Sequence, residues 1–291
     1  MLDCDYSFLD EQQQKELRYL GYTIIKSFPK ARLKKVKKET DDFIDEVKYQ
    51  FVPKNELFNL INSTYIDTKL RSNSMVKEHL VSYLEETLDT QNITIIPVSH
   101  IYKPFGSKGS VWHHDSSVVD ERTNFSLNVW MPLVNSTRLN GCLWMFPGSH
   151  INDNYFREFA YNYIVGDVYV EMRKHMIPLS VKAGEIVLFH RNIIHGSSNN
   201  MLPYGRTALE ALIINKGAQM HVYRRDKKII DKKVLDYKVD LKHYLDEDNM
   251  RNFYSGEYKY DLIDEEPFEV TQKRLLDSIP KFLEQAKKFS L

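Results

Sequence analysis

The first ninety residues show mainly helical patterns, in which apolar residues recur every three or four positions among charged ones. One short β-branched and aromatic run interrupts them, and it is bounded by Gly21 and Pro29, residues that end helices and strands. We therefore predict a helical flank over about 1–90. Its predicted elements, in order, are a helix over 10–20, a strand over 22–28, and helices over roughly 31–48 and 76–88, with no clear pattern over 50–75.

From about residue 91 the chain changes to short apolar or alternating runs that are separated by Gly, Pro and Asn. Many short strands with such turn residues are typical of an antiparallel sandwich or barrel. We therefore predict a mainly β fold with flanking helices, whose β core spans about 91–216. The predicted strands are Ile93–Tyr102, Gly109–His113, Phe125–Leu133, Cys142–Phe146, Ile177–Val181, Ile186–Phe189 and Arg206–Asn215.

Beyond the β core the chain is more charged, and a strand or two followed by helices is expected there. Residues 270–289 have a helical pattern apart from Pro280. A tyrosine-rich insertion over 154–170 separates two predicted core strands, and it forms either a lid or a packed surface loop. No repeat, low-complexity segment or change of composition marks a linker. We therefore expect one domain over 1–291, with a C-terminal extension over about 217–291.

Composition and charge are those of an ordinary soluble globular protein, and they exclude several classes of partner. Basic and acidic residues number 40 each, and the sequence pI is about 7.2. A neutral chain argues against nucleic acid and membrane surfaces as partners, and no run of eighteen apolar residues predicts a transmembrane helix. The acidic, polar start lacks the pattern of a secretory signal, and the 2 cysteines are too few for a disulfide framework. A cytoplasmic location is expected, and a monomer and a homodimer are both compatible with the sequence.

The candidate chemistry lies in Trp112-His113-His114-Asp115 and in a histidine much later, His195. On a strand, alternation places His113 and Asp115 on one face and His114 on the other. His195 on a second strand would complete a 2-His-1-carboxylate set, which holds non-haem Fe(II) and leaves positions open. The spacing alone carries no weight, because 10 histidines and 40 acidic residues in 291 positions give about 1.4 chance occurrences of His-x-Asp/Glu. Taken by itself, the motif is better interpreted as a polar strand edge.

Further motifs accompany these residues, and their order is informative. Along the chain they are Lys103-Pro104, Trp112-His113-His114-Asp115, Val129-Trp130-Met131-Pro132-Leu133, Asn140-Gly141-Cys142, Pro147-Gly148-Ser149-His150, Gly184-Glu185 with Phe189-His190, and His195-Gly196-Ser197 with Asn199. In this order they resemble the phytanoyl-CoA dioxygenase family of Fe(II)- and 2-oxoglutarate-dependent oxygenases, over roughly residues 10–215. The family's 2-oxoglutarate arginine follows eleven residues after the distal histidine, which corresponds to Arg206.

The resemblance implies a double-stranded β-helix, a jelly-roll (cupin-like) core, and it makes His113, Asp115 and His195 the ligands of Fe(II). The alternative for His195 is that it merely ends a strand. His114 and His190 are not expected to be ligands, because His114 has the wrong strand parity and His190 precedes a loop. Related halogenases have a small residue at the carboxylate position, so the presence of Asp115 favours hydroxylation over chlorination.

The resemblance also implies a set of cosubstrate-binding residues. Arg206 binds the distal carboxylate of 2-oxoglutarate, because a guanidinium matches a carboxylate with two hydrogen bonds; the alternative is a surface arginine after a turn. Ser197 is expected to donate to the same carboxylate, or else to bond its own backbone. Lys103 and Asn128 are further candidates for cosubstrate binding or for lining the site. For Trp130, core packing is favoured.

We therefore expect an Fe(II)- and 2-oxoglutarate-dependent dioxygenase that uses O2 to hydroxylate an unactivated C–H bond of a small organic molecule. Desaturation, cyclisation and epoxidation are alternative outcomes of the same chemistry, because the placement of the substrate decides between them. From a different class, a metal-binding jelly roll without oxygenase activity is also considered. Arg206 and Ser197 argue against that alternative, since a binding module has no need of a cosubstrate clamp.

Overall fold

A computed structural model describes residues 4–26, 28–50, 56–151, 156–158, 166–224, 233–240, 259–264 and 268–290. Its helices are α1 (Glu11–Tyr19), α2 (Lys30–Val47), α3 (Ile66–Val76), a π-helical segment (Lys77–Val81), α4 (Ser82–Thr87), α5 (Gly166–Arg173) and α6 (Phe268–Lys287). Its strands are β1 (Tyr22–Ile25), β2 (Phe58–Asn59), β3 (Ile93–Lys103), β4 (Ser126–Pro132), β5 (Leu143–Met145), β6 (Ile177–Pro178), β7 (Ile186–His190), β8 (His195–Ser197), β9 (Arg206–Asn215), β10 (Met220–Arg224), β11 (Lys233–Val239) and β12 (Asp261–Asp264).

The strands form three antiparallel sheets, of which two make up the jelly roll. The large sheet has the order β1-β7-β4-β9-β3-β2, and a small sheet has the order β6-β5-β8. These two sheets pack face to face, because Trp130 and Phe189 of the large sheet share a buried cluster with Leu143 and Met145 of the small one. The prediction of a double-stranded β-helix core with flanking helices is confirmed. The third sheet, β10-β11-β12, lies in the C-terminal extension.

Alternation along the strands gives the large sheet two different faces. On β9, Leu209, Ala211 and Ile213 belong to a buried cluster that also contains residues of the N-terminal helices. The intervening positions of β9 point to the opposite face, which we call the inner face because the small sheet packs against it. Arg206 and Ala208 are the first two inner-face residues of this strand. The inner face is therefore the one that carries candidate functional side chains.

The helical flank is largely as predicted, and the main difference is an additional helix. The helices over 10–20 and 31–48 are confirmed as α1 and α2, whereas α3 lies in the region that gave no pattern. This helix buries Thr68, Lys69 and Ser72, so no apolar period marks it. The buried Ser72 hydroxyl forms hydrogen bonds with His100. Its oxygen lies 2.9 Å from His100 Nδ1 and accepts from the His100 backbone N–H at 2.9 Å.

The predicted strand over Gly109–His113 is wrong. This stretch has a single antiparallel bridge, between His113 and His195, and no ladder on either side of it. The backbone N–H of Ser110 donates instead to the Ser197 hydroxyl, at 3.2 Å. Bonds to side chains therefore replace the strand pairing that the alternating sequence predicted.

The other predicted strands are present, and β1, β4, β5 and β6 are shorter than predicted. β5 covers only the centre of Cys142–Phe146, and β6 only the start of Ile177–Val181. Pro178 explains the short β6, because proline has no N–H to donate to a continuing ladder. Residues 195–197 form the expected strand that carries the distal histidine.

The C-terminal extension contains three strands and one helix in its described parts, which is one strand more than predicted. The helix α6 continues through Pro280 and packs Leu275, Ile279 and Phe282 against Trp112. Strands β10 and β11 share a second buried cluster with Val118 and Val119. The extension therefore supports both ends of the segment over 112–119.

The tyrosine-rich insertion is described only in part, over 156–158 and from Gly166 onward, where α5 begins. The rest of 154–170 lies outside the described residues, so the choice between lid and packed loop stays a prediction. The assignment of 1–291 to one domain also stays a prediction. None of the described helices combines the length and the apolar character of a membrane span.

Gly21 joins α1 to β1 in a backbone conformation that favours glycine. Its φ is +87°, and a Cβ atom there would lie 2.5 Å from His150 Nδ1. The His150 ring cannot easily move away, because it stacks on the His190 ring at a centroid distance of 4.8 Å. A side chain at this position therefore meets both a strained backbone and a filled core.

We expect Gly21→Ala to lower the free energy of unfolding by about 2–5 kcal/mol, from backbone strain and from overpacking. The matched control is Gly217→Ala, because Gly217 has φ +75° and nothing within 4 Å of an added Cβ. That variant should lose only the backbone contribution, about 1–2 kcal/mol. Urea denaturation of the two variants measures the difference. Equal losses would show that the contact with His150 carries no cost.

Candidate metal centre

Side chains from two distant parts of the chain meet at one point on the inner side of the jelly roll. His113, Asp115 and His195 each offer a donor atom, and these atoms all lie within 4.8 Å of one another. His113 Nε2 is 3.7 Å from Asp115 Oδ1, and His195 Nε2 is 3.6 Å from Asp115 Oδ2. Donors that each lie about 2.1 Å from one ion are separated by about 3–3.6 Å, so the three groups are spaced for a single metal.

The backbone brings the two histidines together without a continuous strand. The N–H of His113 donates to the carbonyl of His195 at 2.9 Å, and the N–H of His195 donates to the carbonyl of His113 at 3.0 Å. Next to this bridge, Gly196 allows the Trp112 indole to lie close to β8, because a Cβ there would be 2.5 Å from the indole ring. His113, Asp115 and His195 therefore lie together as alternation predicts, but the bridge rather than a strand positions them.

Hydrogen bonds fix the orientation of both imidazoles. His113 Nδ1 lies 2.8 Å from the carbonyl of Val111, and His195 Nδ1 lies 3.1 Å from the carbonyl of Ile193. A carbonyl only accepts, so Nδ1 carries the hydrogen in each ring and Nε2 presents its lone pair. Burial, together with the neighbouring imidazole of His113, lowers the pKa of His195 to about 4. His195 is therefore a neutral donor at physiological pH.

Asp115 is held by polar neighbours that favour its charged form. Asn128 donates an amide hydrogen to Asp115 Oδ2, and its own oxygen accepts from Arg191 Nη1 at 2.6 Å. Arg191 Nε also donates to the carbonyl of Ser116 at 2.9 Å. Burial acts to raise the pKa of Asp115, but His195, Arg191 and the Asn128 amide outweigh it and hold that pKa well below its usual range. The carboxylate is ionised and oriented.

A second buried arginine reaches the same loop from the tyrosine-rich insertion. Arg157 Nε donates to the backbone carbonyl of Asp115 at 2.6 Å, and Nη2 donates to Glu121 at the same distance. Arg157 is 1% exposed. Neither Arg157 nor Arg191 lies in a sequence motif that predicts a role, so neither was predicted from the sequence. Such neighbours of a ligand keep its orientation fixed.

The two other histidines near the motifs have different contacts. His114 is buried with Nδ1 2.7 Å from the carbonyl of Asn192, and burial lowers its pKa to about 3. His190 Nε2 lies 2.9 Å from the Tyr6 hydroxyl. Neither belongs to the cluster of candidate metal donors. That His114 and His190 are not ligands stays a prediction.

Two cationic side chains lie opposite each other at the start of β9. Lys103 of β3 is paired in register with Arg206, and both are buried. Among the described residues, neither pairs with a carboxylate, and Nε and Nη1 of Arg206 have no hydrogen-bond partner. Burial lowers the pKa of Arg206 to about 10, and burial with the charge on Arg206 lowers the pKa of Lys103 to about 7. Two unpaired buried cations make this position suited to an anion.

The remaining predicted residues divide between the two positions. Lys103 Nζ donates to the Ser197 hydroxyl at 3.0 Å, so Ser197 lies at the cationic position. The Trp130 ring lies 5.1 Å from the guanidinium carbon of Arg206 and packs within the core between the sheets. Asn128 lies beside Asp115, so its contacts are with the candidate metal carboxylate. Its role as a cosubstrate ligand stays a prediction.

The donor set fits a non-haem Fe(II) ion. Two neutral imidazoles and one carboxylate suit a divalent ion of this kind, and three donors from one side leave positions open for other ligands. The side chains of His113 and Asp115 are 21% and 23% exposed, so the centre is accessible rather than enclosed on all sides. A closed structural site would have four protein ligands, and none of the described residues supplies a fourth.

Comparisons with known proteins agree with the motifs. The sequence model of the family described as phytanoyl-CoA dioxygenase (PhyH) matches residues 17–208. Phytanoyl-CoA dioxygenase 1 of Oryza sativa subsp. japonica is 31% identical over 144 residues, covering 46% of this chain and 50% of that protein. The phytanoyl-CoA dioxygenase domain-containing protein 1 homolog of Dictyostelium discoideum is 24% identical over 214 residues, covering 65% and 75%. The chain spans about half the length of the first curated relatives that it matches.

Solved structures are similar in fold at low sequence identity. The carbocyclase SnoK from nogalamycin biosynthesis, a non-heme α-ketoglutarate-dependent enzyme, has a TM-score of 0.51 and 15% identity, covering 74% of this chain and 87% of that one. The epimerase SnoN from the same biosynthesis has a TM-score of 0.51 and 16% identity, covering 72% and 84%. At this level of identity the similarity bears on the fold alone, and it agrees with the jelly-roll core.

We expect Asn128→Ala to weaken metal binding about 10- to 100-fold, because Asp115 loses the donor that fixes its orientation. The matched control is Asn135→Ala, at an exposed position where the side chain accepts from the backbone N–H of Ala183. Anaerobic equilibrium dialysis against Fe(II) measures both dissociation constants. Metal binding that is unchanged in the folded Asn128 variant would contradict this role.

Proposed function

The chain belongs to the phytanoyl-CoA dioxygenase family, and from that premise we propose that it is an Fe(II)- and 2-oxoglutarate-dependent dioxygenase acting on a small organic molecule. One observation carries the proposal: the same jelly roll holds a centre of three metal donors and two neighbouring cationic side chains, Arg206 and Lys103, that have no carboxylate partner among the described residues. Ser197 is bonded to Lys103 and lies two residues beyond His195 on β8. The two positions are therefore about 7 Å apart along the strand, a distance suited to a five-carbon dicarboxylate.

In this proposal Fe(II) is held by Nε2 of His113, by a carboxylate oxygen of Asp115 and by Nε2 of His195. When bound, Fe(II) and 2-oxoglutarate supply, with O2, the oxidising chemistry that attacks an unactivated C–H bond. The contribution of the chain is to orient the two imidazoles through their Nδ1 hydrogen bonds and to keep the carboxylate ionised. Asn128 and Arg157 maintain the position of Asp115 through its side chain and its backbone.

The far carboxylate of 2-oxoglutarate binds at Arg206 in this proposal. Nitrogens Nε and Nη1 of its guanidinium have no hydrogen-bond partner, and a guanidinium offers a carboxylate charge-assisted hydrogen bonds. Lys103 adds a second positive charge, and the binding of an anion favours the protonated form of its amine. Trp130 covers the guanidinium, which keeps water away from the charged pair and strengthens its attraction for the anion.

We propose hydroxylation as the outcome, because Asp115 occupies a coordination position that a halide would need. Desaturation, cyclisation and epoxidation stay as alternatives, since no contact of the described residues distinguishes them. The alternative of a metal-binding module without oxygenase activity is disfavoured by Arg206 and Lys103. Two buried cations without a counter-ion are costly to maintain, and a module that binds only a metal gains nothing from them.

Anaerobic addition of Fe(II) and 2-oxoglutarate tests the proposed function directly. The wild-type protein should develop a weak visible charge-transfer band and, in air, release succinate. His113→Ala should lack both, because it removes one of the three metal donors. His175→Ala is the matched control, since His175 lies at the end of α5 and outside the metal cluster. A folded wild-type protein with neither band nor succinate would overturn the proposed function.

Arg206→Ala should raise the apparent KM for 2-oxoglutarate about 100-fold, because the cosubstrate loses charged hydrogen bonds in a buried position. The dissociation constant for Fe(II) should stay within about twofold, since Arg206 is not a metal donor. Arg32→Ala, which breaks an exposed ion pair with Glu86, is the control and should change neither value. Steady-state kinetics and dialysis provide the two measurements. An unchanged KM in the Arg206 variant would show that the far carboxylate of 2-oxoglutarate binds elsewhere.

A further inference from the structure

One carboxylate on the inner face of the large sheet has no role in metal or cosubstrate binding as proposed. Glu210 follows Arg206 and Ala208 at alternate positions of β9, so all three point to the same side. Across the sheet, Glu210 is in register with Ser99 of β3 and Trp130 of β4. It is half-buried, whereas both of these neighbours are buried. The carboxylate is thus embedded in the wall of the barrel and still accessible.

A single neighbour holds Glu210 from the edge of the sheet. Asn59 Nδ2 donates to Glu210 Oε2 at 2.8 Å. The Asn59 oxygen is occupied on its other side, because it accepts from the backbone N–H of Ile61 at 3.2 Å and from the Ser99 hydroxyl. The amide of Asn59 is therefore oriented with its hydrogens toward Glu210, and it holds one carboxylate oxygen in place.

The other carboxylate oxygen, Oε1, makes no hydrogen bond within the described part of the chain, and no described cation pairs with Glu210. Carboxylates in protein interiors are normally paired, because an isolated buried charge is poorly solvated. Burial and then the charge on Asp115 raise the pKa of Glu210 to about 7, and they outweigh the charge on Arg191 and the Asn59 amide, which act to lower it. The position therefore suits a positively charged ligand group.

The charges of the inner face are separated along the barrel. Arg206 and Lys103 lie at one end, and Asp115 and Glu210 lie further along, on the side where β9 continues into Leu212 and the apolar cluster with Val118. The anionic cosubstrate is therefore attracted to the first end. At the second end Asp115 is assigned to the metal and has the charge of Arg191 nearby, whereas Glu210 forms no ion pair among the described residues and favours an organic cation with apolar parts.

We propose that Glu210, oriented by Asn59, binds a protonated amine of the substrate and thereby selects a small organic cation as the molecule presented to the metal centre. This inference rests on the proposed function, because the substrate must enter the same barrel as the cosubstrate. A hydroxyl group alone would donate one hydrogen bond but would leave the negative charge of Glu210 without a partner. An ammonium group supplies both the donor and the charge.

The experiment compares three probes that share a carbon skeleton: butylamine, which is a cation at neutral pH, butanol and butanoate. Each is titrated anaerobically, at constant ionic strength, into protein loaded with Fe(II) and 2-oxoglutarate, and the change in the visible band reports binding. Wild-type protein should bind the butylammonium ion about tenfold more tightly than butanol, and butanoate most weakly, because only the first neutralises Glu210. Comparable binding of the three probes, or no measurable binding of any, would overturn the inference.

Variants assign the preference to the side chain. Glu210→Gln keeps the shape and the bond to Asn59 and should abolish the preference for butylammonium, whereas Glu210→Asp should retain part of it. Glu78→Gln, at a carboxylate that is 65% exposed on the helical flank, is the matched control and should behave as wild type. A preference that persists in Glu210→Gln would place the cation site elsewhere. If Glu210→Gln fails to fold, the wild-type comparison of the three probes still decides the question.

The two proposals fail in different ways. A wild-type protein without the visible band lacks the metal and cosubstrate chemistry, and this result overturns both. A wild-type protein with a normal band, normal succinate release and no preference among the probes overturns only the role of Glu210.

Discussion

The two backbone hydrogen bonds between His113 and His195 are the interaction on which the rest of the site depends. They join an arm without regular structure to a three-residue strand, and they bring the two imidazoles to a centroid distance of 4.3 Å. The bridge needs Gly196, because any side chain there would collide with Trp112. The same indole lies in a buried cluster to which α6 contributes Leu275, Ile279 and Phe282. The metal donors are therefore positioned by a local contact that a large part of the fold stabilises.

The inner face of the large sheet carries charges that the described part of the chain leaves without partners. Arg206 and Lys103 are buried together in register, and Glu210 lies further along the same face near Asp115. Keeping such charges in a protein interior costs free energy, so they are retained where a ligand completes them. Ligands that bind only the folded state also stabilise it, in proportion to their concentration and affinity. These charges thus link the stability of the jelly roll to the molecules that it binds.

The sequence predicted the donors of the site better than the backbone that carries them. The order of motifs identified His113, Asp115 and His195, but the strand assumed around His113 is absent, because side chains such as Ser197 bond the arm's N–H groups. Helix α3 was missed since its buried face is polar, and polarity hides a helical period. Arg157 and Glu210 were missed for another reason. Their importance comes from contacts between segments far apart in the chain, and no local spacing encodes such contacts.

The family match covers only part of the chain. The match ends at residue 208, two positions before Glu210, and the extension that packs against Trp112 and Val118 lies wholly beyond it. The matched part contains the candidate metal donors and Arg206, to which the proposed chemistry assigns roles. The groups that meet a substrate are free to differ, since the oxidising chemistry is the same for many molecules and only placement distinguishes them. Family membership therefore supports the proposed type of reaction, whereas the proposed class of substrate rests on residues such as Glu210 and Asn59.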